Sequence, residues 1–267
     1  MKSRQLQKIA KELRRDIVKM VYASKSGHLG CSLGIVDILT VLYFHALRID
    51  PFRPNWLNRD KFILSKGHGV SALYATLAKR GFFDKKLLDT YMQNGSYLAG
   101  HVTRGVLPGI EATAGALGHG LSVGIGMALA IKKEQLNSRI FVLVGDGESQ
   151  EGSVWEGILF AGHHKINNLI LVIDYNNLQI LGKNSDIVDL MPLSDKLTSF
   201  RWDVKTVDGN NIQELISVFE LKNNAKPLAI IAKTTKGKGV SFIENKVEWH
   251  TLTPSTEQFT NAITELT

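Results

Sequence analysis

Cysteine is nearly absent from this 267-residue chain: Cys31 is the single one, which excludes an intramolecular disulfide and fits a reducing compartment. Proline is also scarce, with six in all, and no Pro/Ser-rich linker or composition step divides the sequence, so one domain spanning 1–267 is expected. No apolar run comes near the ~20 residues of a membrane helix; the longest, such as Leu169 to Ile173, are strand-sized. The amino-terminal stretch carries Glu12 and Asp16 and lacks an apolar segment, so it reads as neither signal nor transit peptide, and the expected location is cytoplasmic, away from membranes. Low complexity and disorder are excluded by a composition with 44% hydrophobic and 21% charged residues. The 32 Lys and Arg against 25 Asp and Glu leave a net charge of +7, spread too evenly to argue for nucleic acid and suited to small anions.

Apolar residues at helical spacing (Leu6, Ile9, Leu13, Ile17, Val21) predict a surface helix, and a second apolar helix is predicted from Ile35 to about Leu47. Short apolar runs then alternate with helical ones. Lys61–Leu64 precedes a helix over Ser71–Lys79; Ile140–Val144 precedes one around Trp155–Ala161; Leu169–Ile173 ends in an Asp/Asn turn. Val204–Val207 is followed by a helix after Asn211, and Leu228–Ala232 runs into a Lys/Gly loop at 236–239. Short, continuously apolar strands separated by helices predict an α/β fold, a mostly parallel sheet covered on both faces. In such sheets ligands sit beyond the carboxyl ends of the strands, where Ser65–His68, Gly145–Gly147, Asp174–Asn177 and the Lys236 loop are all predicted to lie.

The chemistry concentrates in two of those turns. Asp146 and Asn176 stand thirty residues apart, one helical crossover, so a carboxylate and an amide oxygen reach the same edge. Together they can share a hard cation such as Mg²⁺, which takes oxygen ligands and keeps phosphate oxygens among them. The glycines on either side of Asp146 let the backbone approach a phosphate. Alone, each turn is an ordinary tight turn; the pair, each half following a strand, is more specific.

GDGESQEG (145–152) followed by IDYNNLQILG (173–182) resembles the thiamine diphosphate signature, and the chain around it resembles the transketolase family. The resemblance runs through KSGHLGCSLG (25–34), SKGHG (65–69), LAGH (98–101), LPGIEATAGALGHG (107–120) and KTTKGKGVSFIENKVEWH (233–250). It implies the thiamine diphosphate-binding fold in its diphosphate-binding domain. It also implies the amino-terminal subunit of a split transketolase, moving a two-carbon ketol unit from a ketose phosphate to an aldose phosphate, as in the pentose phosphate pathway. The implied metal ligands are Asp146, Asn176 and the Leu178 carbonyl, holding Mg²⁺ or a substituting Ca²⁺ or Mn²⁺. Gly145 and the Gly147 N–H fall at the diphosphate. His68 and His250 would contact diphosphate and aid proton movement, His28 and His101 would meet substrate hydroxyls, Gly115 and Leu117 would line the cofactor's rings, and Glu151 would join a carboxylate network between subunits. The implied partner is a carboxy-terminal pyrimidine-domain subunit in an α₂β₂ assembly, covering the cofactor's reactive ring and bringing the glutamate that activates it. Only seventeen residues follow His250, and that tail, with the apolar stretch Ala112–Ala130, is expected to pack against partner chains.

Other features read as structural. Lys236 and Lys238 lack phosphate-loop spacing and read as a turn with anion contact. GHGLSVGIGMALA (118–130) places its third glycine one residue late for a dinucleotide fingerprint and reads as close helix packing. Cys31 is expected to be buried and inert, since no base is recognisably paired with it, and His163–His164 lacks the spacing of a helical zinc pair. The chain departs from the family pattern at Leu29, at His119, at Val102–Thr103 after His101, and at Thr251–Pro254 after His250. The last two fall where substrate would lie and leave a specialised transketolase-like or deoxyxylulose phosphate synthase-like enzyme as the alternative, with a non-catalytic homologue behind it.

Overall fold

The computed structural model describes residues 2–221 and 225–267. Helix α1 (Ser3–Ser24) turns Leu6, Leu13, Ile17 and Val21 of the expected stripe inward; Ile9 is only partly buried and Ala10 is buried beside it. The second helix begins earlier than expected and is broken. α2 (Leu29–Gly34) is buried throughout, the chain bends at Ile35, and α3 (Val36–Val41) widens into a π-helical turn over Leu42–Ala46 before Leu47 turns extended. Spacing alone missed α2 because a segment buried on every side has no polar face to mark its period.

Strand β1 (Lys61–Leu64), a 3₁₀ turn at Gly67–Gly69 and α4 (Val70–Arg80) follow, then a long irregular stretch leading to α5 (Gly120–Lys133). Next come β2 (Ile140–Gly145), α6 (Gly152–His163) and β3 (Leu169–Tyr175), then a small antiparallel hairpin of β4 (Leu178–Gln179) and β5 (Gly182–Lys183). The short α7 (Asn184–Ile187) and α8 (Leu193–Ser199) precede β6 (Asp203–Asp208), α9 (Ile212–Phe219), β7 (Leu228–Lys233) and α10 (Thr256–Glu265). Asn211 starts α9 by accepting from the N–H groups of Gln213 and Glu214, and a Ser255/Gln258 capping box starts α10.

The five long strands form one parallel sheet in the order β1-β2-β3-β7-β6. Period-two alternation sends Phe62, Leu64, Phe141, Leu143, Ile170, Val172 and Ile230 into a core with α1–α4, α9 and α10. Their neighbours Ile63, Val142, Val144, Leu171, Ile173 and Ile231 enter a second core with α5, α6 and α8. The sheet is thus covered on both faces, and the apolar runs of β1, β2, β3 and β7 follow from that. β6 departs from the expected pattern. It is an edge strand with Asp203, Lys205 and Asp208 exposed, charge that discourages pairing with another chain. Among the described residues no helix is long and apolar enough to cross a membrane.

Candidate active site

Because every long strand runs the same way, the segments after β1, β2, β3 and β7 emerge along one rim, as the order of elements predicts. There they enclose a cleft of about 170 Å³ walled by Cys31, Lys66, His68, Asp146, Asn176 and His250, with Leu117, Gly145, Gly147 and Leu178 among its other lining residues.

Asp146 closes the β2 end. One carboxylate oxygen accepts from the Gly147 N–H at 2.8 Å; the other accepts from Asn176 N–H at 2.8 Å and from Asn177 N–H. All three donors are backbone, and no cationic side chain pairs with Asp146 among the described residues. Burial, with the nearby charge of Asp174, pushes its carboxyl up to about 6, although the backbone donors pull the other way. The Asn176 Oδ1 accepts from Leu178 N–H at 3.0 Å, so the amide oxygen is held beside the carbonyl-bearing turn. A buried carboxylate lacking a countercharge, an oriented amide oxygen and a nearby backbone carbonyl make a hard-oxygen donor set that suits Mg²⁺.

Two buried lysines flank these groups. Lys66 Nζ pairs with Asp174 Oδ2 at 2.5 Å, both side chains being 3% exposed or less. Burial presses against the ammonium, but Asp174, joined by the nearby Cys31 and Asp146, raises the Lys66 pKa on balance. Thr234 Oγ1 donates to the other Asp174 oxygen. Lys236, from the loop after β7, is pushed down by burial and places Nζ 3.0 Å from His250 Nδ1. A buried ammonium without a carboxylate of its own is matched to an anionic ligand.

The histidines gather at the mouth. Ring centroids of His28 and His250 are 5.5 Å apart, His68 and His250 5.1 Å, His28 and His68 5.5 Å, and His28 and His101 6.4 Å. Burial first and neighbouring lysines next lower the His68 pKa well below the ordinary imidazole value and bring His250 to about 3; burial and His101 lower His28. His28 takes a left-handed backbone (φ 65°), and its N–H donates to the His250 carbonyl at 3.0 Å, tying the start of α2 to the turn before α10. Gly27 allows this approach, since a Cβ there would lie 2.5 Å from the Thr251 carbonyl oxygen.

Of the residues singled out from sequence, the structure brings His68, Leu117, Gly145, Asp146, Gly147, Asn176, Leu178 and His250 to the cleft, with His28 and His101 beside it. Gly115 and Glu151 are exposed and lie outside its wall. Glu148 escaped the sequence reading, and Lys66 and Asp174 were placed at the rim by it without a role. Glu148 accepts from Ser65 Oγ, from Gly118 N–H at 3.0 Å and from Gly145 N–H at 3.0 Å, joining three segments of the rim. Lys66 and Asp174 were hidden inside the motifs quoted for their neighbours; a charged residue ending an apolar strand was the available signal. Cys31 is buried, as expected, and burial pushes its thiol up, in keeping with an inert cysteine. Its sulfur lies 3.5 Å from His250 Nδ1, a neighbour 219 residues away and beyond any local pattern.

Residues 5–263 match the family described as "Transketolase, thiamine diphosphate binding domain". The chain is 43% identical over 255 residues to one subunit of the apulose-4-phosphate transketolase of Phocaeicola vulgatus, covering 95% of this chain and 90% of that one. It is 42% identical over 263 residues to the 6-deoxy-6-sulfo-D-fructose transketolase subunit SqwG of a Clostridium species, covering 98% and 96%. The crystal structure of transketolase from Campylobacter jejuni superposes with a TM-score of 0.94 at 33% identity; all of this chain corresponds to 43% of that longer one. A match of this extent, over a cleft built from these loops, places the chain in the transketolase family, as a thiamine diphosphate-binding domain of the kind that the first two relatives carry as a separate subunit.

Proposed function

We propose that this chain is the diphosphate-binding subunit of a two-chain transketolase that transfers a two-carbon ketol unit from a ketose phosphate to an aldose phosphate. The observation that carries the reading is Asp146: a buried carboxylate at a strand end, met by three backbone N–H groups and, among the described residues, paired with no side-chain cation. A divalent ion held by Asp146, Asn176 and the Leu178 carbonyl would supply that missing charge and take diphosphate oxygens as further ligands. Thiamine diphosphate, when bound, supplies the carbon nucleophile and electron sink for cleaving the ketose carbon–carbon bond.

The chain's own groups then divide the work. Lys236 and the neutral imidazoles of His68 and His250 meet the diphosphate, and Gly145 and Gly147 give it room. Leu117 walls the rings, with Gly115 in the loop leading to it. His28 and His101 hydrogen-bond substrate oxygens as charge develops on them. Glu151, exposed at the start of α6, is free to join a carboxylate network with another subunit. Large apolar side chains also stand in the open near the rim, among them Leu117, Val123, Ile180 and Leu181, the last 80% exposed. A partner carrying the pyrimidine-binding domain, in an α₂β₂ assembly, would cover them and exclude water from the reacting carbon. The chain's folded unit, 1–267, is read as one domain of that cytoplasmic enzyme.

A second reading concerns the sugar. The Phocaeicola and Clostridium relatives are named for apulose 4-phosphate and for a sulfonated fructose, and this chain departs from the family pattern at Val102–Thr103 and Thr251–Leu252, next to the site histidines. A modified ketose is therefore the favoured donor over those of the pentose phosphate pathway. The test mixes the chain with candidate pyrimidine-domain subunits, thiamine diphosphate and Mg²⁺, and follows aldose release from a panel of ketoses. Turnover only with the partner is expected; robust turnover by the isolated chain would overturn the two-subunit reading.

A further inference from the structure

His250 has two ring nitrogens, and the structure constrains one of them from two sides. Lys236 Nζ lies 3.0 Å from Nδ1, and the Cys31 sulfur lies 3.5 Å from the same atom. An ammonium has three N–H donors and no acceptor, so its contact requires a lone pair on Nδ1. The thiol, buried and kept protonated, is a weak donor asking for the same lone pair. A neutral imidazole with a lone pair on Nδ1 carries its proton on Nε2. We infer that Lys236, reinforced by Cys31, fixes His250 as the Nε2–H tautomer, so that this residue faces the cleft as a hydrogen-bond donor and has no lone pair left to act as a base.

The surroundings support this from every side. Besides Lys236 and Cys31, the ionisable groups around the ring are His28, His68 and Lys66, with Asp174 and Asp146 close to the cysteine and lysines. Burial and the positive neighbours hold the ring neutral. Cys31, His68 and His250 also bring one potential metal-ligand atom each within 4.8 Å of one another. That trio does not make a soft-metal site here, because the Lys236 ammonium already occupies Nδ1 and would have to leave. The consequence for proton movement rests on the cofactor reading proposed for this cleft. With His250 confined to donating toward diphosphate or substrate oxygens, proton acceptance at the site falls to His28, His68 or His101. Lys236 and Cys31 are positioning residues: they act through His250.

Long-range ¹H–¹⁵N correlation of the ¹⁵N-labelled full chain at neutral pH reads the tautomer directly, with His250→Gln identifying its signals. An unprotonated Nδ1 and a protonated Nε2 are expected; a protonated Nδ1, or an imidazolium, overturns the inference without needing any variant. Lys236→Met should mix the tautomers and move the His250 titration up toward the ordinary imidazole value of ~6.5, and Lys236→Arg, again only a donor, should restore the original pattern. Unchanged tautomer and titration in Lys236→Met would remove Lys236 from the role. These signals need no cofactor, so loss of the tautomer would leave the cofactor reading standing, and failure of the partner-loaded chain to bind thiamine diphosphate by calorimetry would leave the tautomer standing.

Discussion

The two rims of the sheet bury charge in opposite ways. At the amino ends of the strands, Asp60 is 1% exposed and its carboxylate is saturated: it accepts from the Arg48 and Arg139 N–H groups and pairs with both guanidiniums, Arg139 Nη2 at 2.7 Å. At the carboxyl ends, Asp146 is just as deeply buried and, among the described residues, receives only backbone donors. Lys66 has its aspartate, but Lys236 leans on a neutral histidine. One rim closes its electrostatics within the chain and so serves the fold. The other leaves positive and negative charge unanswered, and the missing counterparts define the ligand: a cation for Asp146 and an anion for Lys236.

The sharpest way to break that comparison is to remove both aspartates. Asp60→Ala removes a buried carboxylate that holds two backbone N–H groups and two partly exposed guanidiniums, and should cost about 2–3 kcal/mol by urea denaturation. Asp146→Asn should leave the cofactor-free chain within about 1 kcal/mol of the parent, because it deletes a charge that burial already disfavours. Comparable losses in the two variants would erase the distinction between the rims. With a partner subunit present, Asp146→Ala should lose metal-dependent thiamine diphosphate binding and more than about 100-fold in activity, beyond what outer-shell changes around metals cost. Asn176→Ala should show a milder form of that defect, and activity unchanged in Asp146→Ala would withdraw the metal assignment. Next in size, His28→Ala and His101→Ala should lower turnover by about 100-fold while cofactor affinity holds, and His68→Ala should lower both. Steady-state kinetics alongside calorimetry separate these outcomes; three variants that altered cofactor affinity alone would refute the division of roles.

Smaller effects come from acid and from the surface. His68 and His250 are held neutral in the fold, whereas in the unfolded chain they titrate near ~6.5. Below that pH the unfolded state binds more protons, so stability rises with pH and is lost as pH falls through the window between ~6.5 and the depressed folded values. The urea midpoint should drop between pH 7.5 and pH 5, and drop less in His250→Gln; parallel curves would contradict the assignment. Leu181→Ser should move stability by no more than about 0.5 kcal/mol yet weaken association with the partner, seen by sedimentation.

Much of this was legible in the sequence wherever information is local. Apolar runs marked β1, β2, β3 and β7 because a strand covered on both faces needs no polar residue, and the direction of the sheet then placed the four loops together. The Asp146 and Asn176 turns were recognisable because one crossover fixes their separation. Pairings across the chain were not legible. Nothing near Cys31 announces His250, nothing near Lys66 announces Asp174, and Glu148 looks like one more polar residue in a turn until Ser65, Gly118 and Gly145 converge on it. The α2 segment failed for the reverse reason, and β6, a strand as expected over Val204–Val207, carries exposed charge: burial in both is set by what packs on them, and that lies elsewhere in the sequence.

The tie between His28 and His250 has a consequence in time. The Gly237 N–H donates to the Gly30 carbonyl at 2.8 Å, His28 N–H to His250, and Thr253 Oγ1 to the Ser26 carbonyl at 2.6 Å, so two segments far apart in the sequence are neighbours in space. During synthesis the ribosome would release the 25–34 segment long before its complement exists. Helix α1 and the early strands can assemble while translation continues, but the cleft must wait for the 236–253 segment to emerge. A nascent or truncated chain would thus expose the apolar α2 without any capacity to bind, leaving that segment the natural target for a chaperone until its complement has left the ribosome.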